Sequence, residues 1–264
     1  MTDDIQTFVG LAVQLADTAR GEVMPRFRTG IKADVKPDQS PVTEADRASE
    51  LAMRKLINTT FPDHGILGEE FGSEKTDAEY VWVLDPIDGT NSFVTGKPLF
   101  GTLIALCHNQ IPIVGIIDAP AVDERWIGAK GSTTTLNGSP ISTRDCDDLG
   151  TSWLYATTPD MFEGDNEAAF LRLRAQVWRT VFGGDCYAYG LLSSGHVDLV
   201  CEASLGTYDF CALAPVVQGA GGIMTDWHGQ ALTLKSEGRV LAAGDAALHE
   251  KALKILASDS KINA

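Results

Sequence analysis

The stretch Trp82 to Phe93, WVLDPIDGTNSF, constrains the fold most, because it sets two carboxylates three residues apart where an apolar run stops. Val81, Trp82, Val83 and Leu84 are β-branched, aromatic or aliphatic and predict a buried strand. Pro86 and Gly89 forbid its continuation or a smooth helix, which leaves Asp85 and Asp88 at the strand's C-terminal edge. In an α/β sheet that edge is where ligand sites open, and two acids held together there repel unless a cation lies between them. A hard divalent metal is the economical explanation. The same residues also suit a plain turn, since Asp-Pro and Asp-Gly pairs form turns and Asp side chains accept backbone N–H bonds there.

The neighbouring acids tip the balance toward metal. Upstream, Gly65-Ile66-Leu67-Gly68-Glu69-Glu70 places further carboxylates after a short apolar pair, and downstream Tyr208-Asp209 opens a segment that runs into Gly219-Ala220-Gly221-Gly222. Three acidic stations flanked by strand or turn signals suit magnesium. Acids number 36 against 21 bases, so the overall field repels any anionic substrate and metal ions would have to reverse the sign locally. Bound Mg²⁺ can activate water and polarise a bound anion, so no nucleophilic side chain is needed. None is evident: there is no G-x-S-x-G elbow, no H-E-x-x-H helix and no Ser or Cys patterned with a His. Direct in-line attack by water is the expected mechanism.

Other signals bound the class. With 264 residues, 44% of them hydrophobic, the chain can bury a core as one large domain or two intimate ones. The start at Thr2, Asp3 and Asp4 lacks a basic region and apolar run, and no stretch approaches membrane-spanning length, so a cytoplasmic protein without a membrane partner is expected. A net charge of −15 without a basic stripe makes nucleic acid an unsuited partner. Five cysteines without a C-x-x-C pair predict reduced, mostly buried thiols. His64, His196 and His228 lie beside turns or glycines and are expected at the surface.

Periodicity predicts helices over Ile5–Arg26, Ala45–Asn58, Glu167–Gln176, Cys186–Ser194, Asp209–Gln218 and Ala246–Ala257. Strands are expected at Gly65–Leu67, Val81–Leu84, Gly101–His108, Ile111–Asp118, Arg125–Ala129, Ser152–Ala156, Thr180–Phe182, Leu199–Cys201, Gly222–Thr225 and Val240–Ala243. An α+β half, residues 1–145, therefore precedes an α/β half, residues 146–264. At the second helix Thr43 caps and Asp46 answers it, as in a capping box.

GEE at Gly68 to Glu70, DPIDGT at Asp85 to Thr90 and YDFCALAPVVQGAGG at Tyr208 to Gly222 together resemble the inositol monophosphatase-like, magnesium-dependent phosphatases. The resemblance covers nearly the whole chain. It implies the layered α/β/α/β/α sandwich of the inositol monophosphatase and fructose-bisphosphatase type, and commonly a homodimer. It implies that Glu69, Asp85, Asp88, Asp209 and the carbonyl oxygen of Ile87 bind roughly two or three Mg²⁺. Thr90 and Glu69 would orient the attacking water, with Asp46 supporting Thr90, and Gly89, Thr90 and Asp209 would also meet the substrate.

The substrate class follows from additional acids. Asp185, in GGDCYAYG, and Glu202 lie near the segment leading to Asp209; facing a leaving group, they would favour a substrate that carries a cation. Alternatively Asp185 caps the following helix and Glu202 is solvated. GGDCYAYG, and Tyr208-Asp209 where many relatives have Trp-Asp, resemble the subgroup that hydrolyses L-histidinol phosphate in histidine biosynthesis. Inositol or another polyol monophosphate is the alternative substrate, in which the Glu202 position contacts a hydroxyl. A catalytically silent ligand-binding regulator is the alternative of another class, and the presence of Glu69, Asp85, Asp88, Thr90 and Asp209 weighs against it.

Overall fold

The structure, a computed structural model, describes residues 5–36 and 41–258. The acidic start at Thr2, Asp3 and Asp4 lies outside the described residues. Helix α1 (Ile5–Val23) buries Phe8, Leu11, Ala12, Leu15 and Ala19 along one stripe. Pro25, which has no N–H to continue the ladder, turns the end expected to reach Arg26 into a 3₁₀ turn over Met24–Arg26. The antiparallel pair β1 (Asp34–Val35) and β2 (Pro41–Val42) precedes α2 (Glu44–Thr60), which starts with the capping box expected of Thr43 and Asp46.

The first sheet follows: β3 (Gly65–Gly68), β4 (Gly72–Glu74), β5 (Tyr80–Asp88), a short helix α3 (Thr90–Thr95), then β6 (Gly101–His108), β7 (Ile111–Ala119), β8 (Glu124–Ala129), β9 (Thr135–Leu136) and β10 (Ser139–Pro140). Its order is β10-β9-β8-β7-β6-β5-β3-β4, antiparallel except where β3 runs parallel to β5. The second part alternates β11 (Trp153–Ala156), α4 (Asp165–Arg174), β12 (Arg179–Phe182), α5 (Tyr187–Ser193), β13 (Leu199–Glu202), α6 (Thr207–Phe210), α7 (Leu213–Gly219), β14 (Ile223–Asp226), β15 (Val240–Ala243) and α8 (Ala246–Ala257). Its sheet runs β12-β11-β13-β15-β14.

Strand periodicity sorts these elements into layers. Trp82, Leu84, Ile104 and Leu106 pack against α1 and α2, while Val81, Val83, Leu103 and Ala105 on the opposite face meet α5 and α7. Val200, Val240 and Ala242 of the second sheet complete that middle core, and Leu199, Cys201 and Leu241 face α4 and α8. The result is the α/β/α/β/α sandwich. Close approach in the middle requires glycine: a Cβ on Gly115 would stand 2.0 Å from the Ala212 carbonyl oxygen.

Several local expectations are corrected. The strand expected to stop at Leu84 continues to Asp88, because Pro86 lies in a bulge where Asp85 pairs Leu103 and Asp88 pairs Gly101, and a bulge asks no ladder N–H of proline. Gly89, at φ +81°, starts α3 rather than forbidding a helix. The helix expected over Asp209–Gln218 divides into α6 and α7; Pro215 cannot donate to the Cys211 carbonyl, which removes a ladder bond across the break. His64 is buried, accepts the Trp82 indole N–H at 3.1 Å and stacks on Phe61 and Tyr80, so it is not a surface residue. His196 and His228 are exposed, and the five cysteines are free thiols, all buried except the partly exposed Cys146. Among the described residues no helix is long and apolar enough to cross a membrane.

Candidate metal centre

The bulge in β5 aims two carboxylates out of one strand end. Asp85 Oδ1 accepts the Ile87 N–H at 3.0 Å, which bends the backbone through Pro86, and Asp88 Oδ2 accepts the Cys186 N–H at 2.6 Å. Asp209 enters from the start of α6, where its Oδ2 accepts the Gly206 N–H at 2.6 Å. One oxygen from each of Asp85, Asp88 and Asp209 lies within 4.8 Å of the others. Strand β3 runs beside β5, so Glu69, one residue past the Gly68–Leu84 pair, arrives at the same edge with its N–H on the Leu84 carbonyl at 3.2 Å.

This crowding is electrostatically costly. Burial pushes the Asp85 carboxyl well above the usual carboxylate range, and the charges of Glu69, Asp88 and Asp209 push it further. Burial does the same to Asp88, reinforced by Asp185 and Asp209. Asp209 is pushed up to about 7 by burial against the lowering effect of the Gly206 N–H, with Glu69 and Glu202 adding to the rise. Lys36 offers partial compensation: its Nζ lies 2.7 Å from Glu69 Oε1 and 2.6 Å from Glu70 Oε1. Even so, burial raises the Glu70 carboxyl to about 7. A hard divalent cation fits this all-oxygen set, because it supplies the positive charge that three converging carboxylates lack.

Thr90 Oγ1 donates to the Ile87 carbonyl oxygen at 3.0 Å, so two residues expected at the site meet directly. Asp46 is fully buried; its Oδ2 accepts both the Thr43 N–H and hydroxyl, while Oδ1 has no hydrogen-bond partner among the described residues. Capping is thus its observed bond, and the expected support of Thr90 is not a direct hydrogen bond here.

Beside the acids lies a cavity of about 190 Å³ lined by Asp88, Asp185, Glu202 and Asp209 with Thr157, Met161, Cys186, Tyr189, Leu205 and Leu213. Among the described residues no Lys, Arg or His lines it. Asp185 does not cap α5, which has no side-chain cap; at φ +46° its Oδ2 instead accepts the Ser92 hydroxyl at 3.0 Å. Gly89 leaves it room, since a Cβ there would stand 3.0 Å from Asp185 Oδ2. Glu202 is buried rather than solvated, with its oxygens on the Thr157 N–H and the Tyr189 hydroxyl, both at 2.8 Å. Sequence reasoning assigned no role to Lys36, Ser92 or Tyr189. Only folding brings Lys36, just past a two-residue strand, against Glu69, and the helical spacing around Tyr189 signals core alone.

A model of the inositol monophosphatase family matches residues 4–261. The chain belongs to that family. Members of the inositol monophosphatase family are generally metal-dependent, in keeping with the acidic cluster, and this member is a phosphatase. It is 48% identical over 96% of its length to the bifunctional phosphatase IMPL2, chloroplastic, of Arabidopsis thaliana, covering 76% of that protein. A histidinol-phosphatase of Mycobacterium tuberculosis is 35% identical over 92% of this chain and 95% of its own. Among solved structures, an inositol monophosphatase from Zymomonas mobilis superposes with a TM-score of 0.88 at 47% identity, covering 95% of this chain and 98% of that one.

Proposed function

We propose that this phosphatase hydrolyses L-histidinol phosphate to L-histidinol and phosphate with Mg²⁺. The observation that carries this reading is the cavity beside the metal centre: four carboxylates line it and, among the described residues, no basic side chain does. With Asp88 and Asp209 taken up by cations, Asp185 and Glu202 would be left to face the leaving group, and these acids, Glu202 buried and Asp185 partly so, favour an alcohol bearing an amine or imidazolium. The names of relatives such as the histidinol-phosphatase of Mycobacterium tuberculosis support the same reading.

Glu69, Asp85, Asp88, Asp209 and the Ile87 carbonyl would hold the ions, roughly two or three by the usual arrangement of such sites. Bound Mg²⁺ lowers the pKa of water and neutralises charge on the phosphoryl oxygens. The protein's own groups do the rest. Thr90 and Glu69 orient a water against phosphorus, opposite the ester oxygen, and Asp46 holds the start of α2 behind them. Gly89 and Thr90, at the start of α3, receive the phosphate. Asp185 and Glu202 bind the histidinol end. The P–O ester bond breaks as the water's P–O bond forms, and the histidinol oxygen leaves with the proton that the attacking water gives up.

A second reading has support of its own. The inositol monophosphatase from Zymomonas mobilis is 47% identical, and the buried, doubly bonded Glu202 can accept from a polyol hydroxyl as well as from an amine. Phosphate release from L-histidinol phosphate in Mg²⁺, with EDTA as control, tests the proposal. Release that EDTA abolishes and added Mg²⁺ restores is expected; no release would overturn the substrate, and EDTA-insensitive release would overturn the metal.

A further inference from the structure

We propose that Glu50, a residue of α2 outside the ligand set, positions Glu69 and thereby sets the affinity of the centre for its metal; this rests on the metal-dependent reading above. Glu50 is fully buried, a costly place for a carboxylate unless its oxygens are all used. They are. Its Oε2 accepts the Glu70 N–H at 2.7 Å, and its Oε1 accepts the Phe71 N–H at 3.2 Å and the Arg54 Nε–H at 2.7 Å. Arg54, itself buried, continues outward to the Gly72 carbonyl and, at 2.6 Å, to Glu74 Oε1. Gly68 admits the Glu50 carboxylate, since a Cβ there would stand 2.0 Å from Oε1.

The consequence concerns the backbone on both sides of one ligand. The Glu69 N–H is fixed on the Leu84 carbonyl of β5 at 3.2 Å, and the next amide, that of Glu70, is fixed on Glu50. The two peptide planes that flank the Glu69 Cα are therefore both pinned, which sets the direction of its side chain toward Asp85. Lys36 holds the Glu69 and Glu70 carboxylates, and Glu50 holds the chain beneath them. Glu50 is a positioning residue: it acts on the metal only through Glu69.

Calorimetric Mg²⁺ titration of metal-depleted protein tests this in wild type, E50Q, E69Q and the double variant. Glutamine must turn its NH₂ toward one of three donors, so E50Q is expected to bind Mg²⁺ about tenfold more weakly, in the range typical of groups that orient ligands. In the E69Q background the same change adds no further loss, because the group it positions is gone. Wild-type affinity in E50Q, or an equal loss in both backgrounds, would overturn the proposal. Should E50Q not fold, R54M carries the test, since it keeps both amide bonds and removes only their buttress: a smaller weakening is expected, and unchanged affinity would overturn the proposal. Failure of the wild type to bind Mg²⁺ would instead overturn the metal reading itself.

Discussion

The Lys36 ammonium stands 2.7 Å from Glu69 Oε1, on a carboxylate proposed to take a cation. Lysine and metal therefore compete for the same charge. Replacing Lys36 with Met frees Glu69, and Mg²⁺ binding is expected to tighten about fivefold, the equivalent of a partly buried ion pair of roughly 1 kcal/mol. Calorimetry on the metal-depleted variant measures it; weaker binding would show that Lys36 organises the site rather than competing for it.

Asp88→Asn separates catalysis from stability. The Asn oxygen can still accept the Cys186 N–H, and one of the repelling charges beside Asp85, Asp185 and Asp209 is removed. Turnover is expected to fall on the order of 10²–10³-fold or more. The metal-free protein is expected to melt no lower than wild type, with the Mg²⁺-induced rise in melting temperature largely lost. Near-normal turnover would remove Asp88 from the site.

The pH response of the metal-free protein has a definite sign. The Asp209 carboxyl is raised from an unfolded value near 3.8 to about 7, so between those values the folded state binds more protons than the unfolded one. That contribution to stability is fully present below the unfolded value and is lost as pH rises through about 7. Asp85 and Asp88 are raised in the same direction by burial and mutual repulsion. Melting temperature in EDTA is expected to carry a component that falls between about pH 4 and 7, and the increment given by Mg²⁺ to grow over that window. An EDTA curve that rises with pH would contradict the crowding.

Much of this site is visible in the sequence because its carboxylates sit at local punctuation. Asp85 and Asp88 follow an apolar run and Glu69 follows a short strand, so strand ends and turn residues alone bring them to one edge. Strands such as Gly101–His108 are long enough to declare themselves, whereas the order of the layers is implied by the family resemblance and not by periodicity. The two-residue strands around Lys36 and Pro41, and the pairs β9 and β10, are too short to leave a periodic signal. Extension of β5 through Pro86 is hidden because a bulge, which only the partner strand reveals, excuses proline from the ladder. His64 reads as a turn residue, and only the rings of Phe61, Tyr80 and Trp82 show that it is core.

Tyr189→Phe probes the far wall of the cavity. It removes the hydroxyl bonded to Glu202 and leaves the Thr157 N–H as that carboxylate's bond. A stability loss of about 1–3 kcal/mol is expected, with a higher KM for a cationic substrate, read from denaturant melts and steady-state kinetics. Wild-type values for both would make the Tyr189–Glu202 bond incidental.

The acidic leaving-group cavity is tested most directly by kcat/KM for L-histidinol phosphate against myo-inositol 1-phosphate, in wild type and Asp185→Asn side by side. Wild type is expected to prefer histidinol phosphate by at least about tenfold, and Asp185→Asn to erase most of that preference while changing the inositol value little. A wild-type preference for inositol phosphate, or equal losses on both substrates, would contradict it.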